Sequence, residues 1–219
     1  MKTMYNIIIF IFGVISAYPQ VNNISFADTI YPFSKWQQAD IERANTAAKI
    51  EFLTDEEREI IFLCNLARIN GKLFNETFLA KYIAENDIQE EFYLQSLQKT
   101  LKKTKKLQCF IPADDLFEIA KKYAIEAGEK GWEGHRNFNA RFKEAGKNYT
   151  ETGENCAYGF DSGVDIVFIL LIDKNVANLG HRKNILNKNF SHIGVSIQPH
   201  KQYEFNCVMD FGSKVYSKK

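Results

Sequence analysis

The sequence lacks an excess of charge of either sign. Its 28 lysines and arginines nearly balance 27 aspartates and glutamates, which gives a formal net charge of +1. Proteins that bind nucleic acid or an anionic membrane surface carry a basic patch that attracts the polyanion. The one basic run, residues 99–106, contains five lysines and no arginine, and we interpret it as the solvated face of a helix. The composition therefore predicts no nucleic-acid partner.

Signatures of several enzyme classes are missing as well. The chain has no C-x-x-C pair, no glycine-rich phosphate loop, and no serine or cysteine in a recognisable nucleophile elbow. These absences argue against dithiol redox chemistry, phosphate binding by a P-loop and acyl transfer through a covalent intermediate. Catalysis through a metal ion or a general base stays open.

The N-terminal apolar run, residues 7–17, is too short to span a bilayer comfortably. It follows a single positive charge at Lys2, a pattern typical of a secretory signal peptide. We expect a signal peptide over residues 1–17, with an approximate cut site, and a chain secreted to an extracellular or periplasmic compartment. No stable membrane anchor is expected, although a retained N-terminal helix is the alternative.

Cysteine is scarce, and its four residues are widely spaced: Cys64, Cys109, Cys156 and Cys207. An even number of cysteines in an exported chain predicts two disulfides. We expect Cys156–Cys207, because both residues lie in strands predicted to be neighbours. We also expect Cys64–Cys109, because both lie on or beside helices predicted to pack together.

Hydrophobic periodicity predicts several helices followed by a few late strands. Helices are predicted from the capping box at Thr54 and Glu57 to residue 70, twice within 74–107, over 114–128 and over 164–172; strands are predicted at 156–160, 193–197 and 203–209. This order is typical of an α+β fold. Residues 18–53 show no clear period, so we expect a loosely ordered lead-in to a domain over 54–212.

Polar residues are concentrated in the segment 178–187, between two segments with the pattern of buried core. Such groups need partners or a ligand, so this segment is a candidate pocket wall. Two histidines and a carboxylate brought together can hold a divalent ion such as Zn²⁺, or can serve as general acid and base. His135, Glu154 and His181 are the candidates for either role. For His192 and His200 we expect structural roles.

Three motifs in order, Gly134-His135, Gly153-Glu154-Asn155 and Gly180-His181-Arg182-Lys183-Asn184-Ile185-Leu186, followed by the run at 207–211, resemble the CAP superfamily. That superfamily contains cysteine-rich secretory proteins, antigen 5 and pathogenesis-related proteins, and the form of the third motif is that of its bacterial SCP-like branch. The resemblance covers roughly residues 54–212, with a helical pair at about 74–107 that is extra relative to the shortest members.

The resemblance implies an α/β/α sandwich with a small central antiparallel sheet flanked by helices. It also implies a cleft lined by two histidines and two acidic residues, which binds a metal ion in some members. Residue by residue, His135, Glu154 and His181 match the motif positions. The second acid lies in a Trp-x-x-Glu helix in animal and plant members, and Asp173 is our substitute for it here. The predicted metal ligands are therefore His135, Glu154, His181 and Asp173, with Zn²⁺ as the expected cation.

The superfamily is known for lipid or sterol binding, signalling and disputed proteolysis, so the fold leaves the function open. We interpret the chain as a secreted binding domain with a metal-capable cleft for a small or extracellular ligand, lipid-like or protein. One alternative is a metal-dependent or general-base hydrolase with His135, Glu154 and His181 in the catalytic roles. Another is an extracellular interaction or structural protein with no chemistry in the cleft.

Overall fold

The structure is a computed structural model that describes residues 32–89, 91–143 and 145–214. The predicted signal peptide, residues 1–17, lies outside the described residues. None of the helices within the described ranges has the length and apolar character of a membrane span.

A four-stranded sheet forms the centre of the described part of the chain. Its strands are β1 Ile111–Pro112, β2 Tyr149–Tyr158, β3 His192–His200 and β4 Glu204–Lys214. The strand order is β1-β3-β4-β2, which puts β2 at one edge. Strands β2, β4 and β3 pair antiparallel, as the predicted final hairpin requires.

The expected purely antiparallel sheet is wrong at β1, which pairs with β3 in parallel. The backbone N–H groups of Ile111 and Ala113 donate to the carbonyls of Ser191 and Ile193 at 2.9 Å. A parallel neighbour needs a long crossover connection, and here the chain between β1 and β3 includes β2 and several helices. The sheet is therefore mixed, and the α+β prediction is confirmed.

Helices cover both faces of this sheet. They are α1 Gln38–Ala44, α2 Asp55–Ile69, α3 Gly71–Phe74, α4 Ala80–Glu85, α5 Glu91–Leu101, α6 Asp114–Lys130, α7 Phe138–Arg141, α8 Gly163–Ile172 and α9 Gly180–Ile185. A π-helical turn, Asn75–Leu79, joins α3 to α4. The two helical segments expected within 74–107 thus correspond to the continuous α3–α4 segment and to α5.

The sheet lies between α6 on one face and α2 with α8 on the other. A Cβ atom at Gly194 of β3 would lie 2.2 Å from the backbone of Leu116 and Phe117, so the close approach of α6 requires glycine there. On the other face, the Glu57 carboxylate of α2 accepts a 2.8 Å hydrogen bond from the backbone N–H of Ile197. The arrangement is a three-layer α/β/α sandwich.

Helix α2 has the capping box that the sequence predicts. The Thr54 hydroxyl accepts from the Glu57 N–H, and the Glu57 carboxylate accepts from the Thr54 N–H. Near the other end of α2, the buried Arg68 guanidinium donates to the carbonyls of Ile185, Asn187 and Phe190. These bonds fix the chain that leaves α9 against α2.

Residues 33–53 are more ordered than the expected lead-in. They contain a 3-10 turn, Phe33–Lys35, and helix α1. Trp36 is buried, and its indole N–H donates to the Thr77 hydroxyl at 3.2 Å. The aromatic and apolar residues that showed no period in the sequence here pack onto the helical layer.

All four cysteines are free thiols in the structure, so neither expected disulfide is present. Strand register explains why the Cys156–Cys207 disulfide is absent. Cys156 lies opposite Val208, whereas Cys207 lies opposite Ala157. A one-residue offset puts the two thiols on opposite faces of the sheet, and they belong to separate apolar clusters.

The second expected disulfide, Cys64–Cys109, is absent as well. The α2 residues that bond to the segment before β1 are Asn65, which contacts the Phe110 backbone, and Arg68, which contacts the Gln108 carbonyl. Cys64 is fully buried, whereas Cys109 is only half-buried.

Candidate functional site

His135 lies on a short loop that follows α6. The helix ends at Lys130 with Gly131 in the left-handed conformation, as the glycines in the sequence indicate. Two tyrosines then hold Gly134, which also has a positive φ: the Tyr123 hydroxyl donates to its carbonyl at 2.6 Å, and its N–H donates to the Tyr158 hydroxyl at 2.8 Å. These bonds fix the loop and so fix the position of the imidazole.

Glu154, in the middle of β2, is the partner of that imidazole. His135 Nδ1 lies 2.8 Å from Glu154 Oε1. The two side chains differ in burial: the carboxylate is 1% exposed, whereas the imidazole is 48% exposed. A buried carboxylate therefore holds a ring that is half in solvent.

Arg141, at the end of α7, makes a second contact with the same carboxylate. Its guanidinium donates to Glu154 Oε2 at 2.6 Å and to Oε1 at 2.9 Å, and it stacks 3.6 Å above the Tyr123 ring. Burial opposes ionisation of Glu154, but the hydrogen bonds from His135 and Arg141 outweigh it and hold the pKa of Glu154 below its ordinary value. Glu154 is therefore a charged, fully occupied carboxylate.

Asp173 and His181 form a second pair of the same kind. Asp173 caps the C-terminus of α8 in the left-handed conformation, with φ 59°. Its Oδ1 lies 2.8 Å from His181 Nδ1, and its Oδ2 accepts the Arg182 N–H at 3.1 Å. The carboxylate is fully buried and the imidazole is 22% exposed. The structure thus places Asp173 against His181.

Two asparagines join the elements that carry the pairs. The Asn155 side chain donates to the His181 carbonyl at 3.1 Å. The Asn184 side chain donates to the Asn155 side-chain oxygen at 2.9 Å and to the Glu154 carbonyl at 3.1 Å. Helix α9 is therefore bonded to the edge strand that carries the first pair.

Both pairs leave the same nitrogen available. In each ring Nδ1 faces a carboxylate, and no described residue bonds to Nε2. Because an ionised carboxylate only accepts, Nδ1 carries the proton in the neutral ring and the Nε2 lone pair is free. This is the arrangement of metal-binding histidines, in which a carboxylate holds one nitrogen and the metal binds the other. Each carboxylate therefore fixes the tautomer and the orientation of its imidazole in this geometry.

Two neighbours of Glu154 were not predicted as cleft residues: Cys156, which was expected to form a disulfide, and Asp210. Among the described residues, one group of potential ligand atoms lies within 4.8 Å of one another, and it contains His135, Glu154 and Cys156. Asp210 of β4 lies directly opposite Glu154 in the sheet and is fully buried. Burial, and then the charge of Glu154, raise the pKa of Asp210 well above its ordinary value, although Arg141 opposes the shift.

Strand alternation was the one signal for these residues. Positions 154, 156, 208 and 210 face α6, but alternation alone does not say that a helix covers this face. Arg141 had no signal beyond its place in a polar connection. His200 has the structural role expected of it, since its two ring nitrogens contact the Trp132 carbonyl and the Gln202 N–H.

Among curated proteins, none matches the chain significantly. The chain is similar in structure to an outer surface protein of Borrelia burgdorferi, with 22% identity over 58% of this chain and 97% of that one and a TM-score of 0.43. It is also similar to an extracellular protein containing an SCP domain from Bacillus anthracis, with 16% identity over 73% and 40% of the two chains and a TM-score of 0.44.

A cysteine-rich secretory protein of Staphylococcus aureus is a third similar structure, with 17% identity over 57% of this chain and 40% of that one and a TM-score of 0.40. The family model described as CAP, the cysteine-rich secretory protein family, matches residues 80–211. That range contains both histidine–carboxylate pairs and all of the sheet except the last three residues of β4. The chain belongs to the CAP, or cysteine-rich secretory protein, family.

Proposed function

We propose that this chain is a secreted CAP domain that binds a divalent cation, Zn²⁺ by preference, through Nε2 of His135 and Nε2 of His181. The cation then serves as the contact point for an extracellular ligand. The observation that carries the proposal is the shared geometry of the two pairs, each an imidazole held at Nδ1 by a buried carboxylate. Imidazole nitrogen suits Zn²⁺, and two protein ligands leave coordination positions open for a partner's oxygen or nitrogen.

Cleft geometry favours binding over hydrolysis. The cysteine beside His135 is buried, and burial together with the charges of Glu154 and Asp210 raises the pKa of the Cys156 thiol well above its ordinary value. A protonated thiol is a poor nucleophile. Glu154 is bonded to both Arg141 and His135, so neither of its oxygens is free to act as a base on a ligand.

Export to an extracellular or periplasmic compartment belongs to the same proposal. It rests on the apolar N-terminal run after Lys2 and on membership of a family of secretory proteins. The domain on this proposal extends over residues 54–212, with α1 and the preceding turn packed onto it.

Calorimetric titration with Zn²⁺ tests the cation site. The titration uses full-length Cys156→Ser protein, because the thiol beside His135 is a competing ligand for Zn²⁺. Adding His181→Ala should abolish detectable binding, and adding Asp173→Asn should weaken it by roughly 10- to 100-fold, the usual loss when an orienting partner is removed.

His192→Ala is the matched control, because His192 lies on β3, where its ring contacts Ser191 and Tyr149. It should leave the affinity unchanged. Unaltered Zn²⁺ affinity in the His181→Ala protein, with its melting temperature preserved, would remove the two-imidazole site.

A further inference from the structure

The inner side of the His135 ring faces a second set of potential ligands. Cys156 Sγ lies 3.6 Å from His135 Nδ1, and Glu154 Oε1 lies 2.8 Å from the same nitrogen. The three ligand atoms are all within 4.8 Å of one another. Sulfur, nitrogen and carboxylate oxygen at such spacing need only small shifts to surround one tetrahedral ion.

Asp210 is an independent sign that something is missing from this pocket. Its side chain is fully buried, and neither carboxylate oxygen receives a hydrogen bond from a described residue. It lies between Glu154 on β2 and Gly194 on β3, and glycine has no side chain to offer. Its carboxyl group is within hydrogen-bonding reach of Glu154, but two carboxylates have no donor between them unless one carries a proton.

Buried polar groups in native proteins almost always have a partner, and an orphaned carboxylate is costly. A cation held by the neighbouring group of His135, Glu154 and Cys156 would be that partner, although Asp210 lies outside the set of atoms within 4.8 Å of one another and would have to move toward the cation. We propose that His135 Nδ1, Glu154, Cys156 and Asp210 form an inner site for a thiophilic divalent cation of the Zn²⁺ and Cd²⁺ class.

Charge balance supports this site in both of its states. Without the cation, the Arg141 guanidinium balances the charge of Glu154. With the cation, the thiolate and two carboxylates carry three negative charges, which Arg141 and the divalent ion balance. The thiol and carboxyl protons leave to solvent, as is usual when metals bind acidic ligands, and the His135 ring proton moves from Nδ1 to Nε2 so that the Nδ1 lone pair can bind the cation.

The inner site differs from the two-imidazole site in the nitrogen that it uses. It takes Nδ1 of His135 together with Cys156, and it does not involve His181 or Asp173. A neutral imidazole has one lone pair, so His135 serves one position at a time. The two sites, which share His135, therefore bind one equivalent of a thiophilic cation between them.

Cadmium titration followed by thiolate-to-metal absorption in the ultraviolet tests the inner site. The band should appear in the full-length wild-type protein and saturate at one equivalent. It should be lost in Cys156→Ser and unchanged in Cys207→Ser, a matched control because Cys207 is equally buried on the opposite face of the sheet. Asp210→Asn should weaken Cd²⁺ binding by tenfold or more while the band stays.

Two results would overturn the inner site: no thiolate band in the wild-type protein, or a band that survives Cys156→Ser. Melting curves of the cation-free variants show whether each is folded, and Asp210→Asn supplies a second test if Cys156→Ser is not. The band should persist in His181→Ala, whereas Zn²⁺ binding in the Cys156→Ser protein should depend on His181. Failure of one site is thus distinguishable from failure of the other.

Discussion

In both histidine–carboxylate pairs the imidazole Nδ1 lies 2.8 Å from a carboxylate oxygen, but the fold builds the two pairs differently. Asp173 and His181 are eight residues apart, and the Asp173 carboxylate is completed by the neighbouring Arg182 N–H. Glu154 is instead surrounded by groups from the loop after α6, from α7 and from β4. The His135–Glu154 pair is therefore assembled by tertiary packing (the assembled pair), whereas the Asp173–His181 pair is a local unit at the end of α8 (the local pair).

That difference predicts unequal sensitivity to substitution. In the local pair, one imidazole nitrogen and one backbone N–H contact the carboxylate. In the assembled pair, a buried charge is balanced by a guanidinium that belongs to another element. Removing a partner should thus lower the free energy of unfolding more at Glu154 than at Asp173.

The largest expected effect is that of Arg141→Ala. This change leaves the Glu154 carboxylate buried without its charge partner, and the free energy of unfolding should fall by about 3 kcal/mol. Urea denaturation measures the loss, and adding Glu154→Gln should recover part of it. Arg43→Ala is the control, since the Arg43–Asp40 pair is largely exposed and is worth under about 1 kcal/mol. Equal effects of the two arginine changes would contradict the unequal roles assigned to them.

A smaller effect is expected from Asp173→Asn. Asparagine tolerates the left-handed conformation of this position, so the substitution removes one acceptor without straining the backbone. The expected loss is about 1–2 kcal/mol, because one of two donors is left without its partner. Thermal denaturation should show Asp173→Ala to be worse than Asp173→Asn, since alanine adds backbone strain. The reverse order would mean that the αL geometry is not what this position requires.

At acidic pH, Asp210→Asn is expected to change the free energy of unfolding least of the three substitutions, because asparagine resembles the protonated carboxyl. The pKa of Asp210 is raised in the folded state by burial and by Glu154, whereas an unfolded aspartate has a pKa of about 3.9. Between those two values the folded state holds the extra proton, so the wild-type free energy of unfolding falls as pH rises. Asp210→Asn should show a smaller fall across the same range. An unchanged pH dependence would mean that Asp210 is ionised in the folded protein.

The local pair was also the more predictable one from sequence. The capping box at Thr54, the end of α6 at the glycines and the final hairpin follow from short-range patterns, and the structure has each of them. Asp173 could be proposed as the second acid because it ends the helix that corresponds to the Trp-x-x-Glu helix of the animal and plant members. The motif spacing alone could not say whether Asp173 belongs with His181 or with Glu154.

The rest of the assembled pair depends on contacts that no short pattern encodes. Asp210 alternates with apolar residues in β4 as an exposed strand residue would, and it is buried only because α6 packs closely over Gly194. Arg141 lies in a polar connection, where an arginine usually faces solvent. The Cys156–Cys207 expectation was wrong because proximity of two strands does not fix the face on which each thiol lies.

The most direct test of the two-pair account is the proton position on each imidazole. Nitrogen NMR of the cation-free protein at mildly alkaline pH, with His135→Ala and His181→Ala used for assignment, distinguishes the two neutral tautomers. The account predicts that both rings carry the proton on Nδ1, facing Glu154 and Asp173, with an unprotonated Nε2. Protons on Nε2 in both rings would contradict it, because neither carboxylate would then receive the hydrogen bond that orients its imidazole.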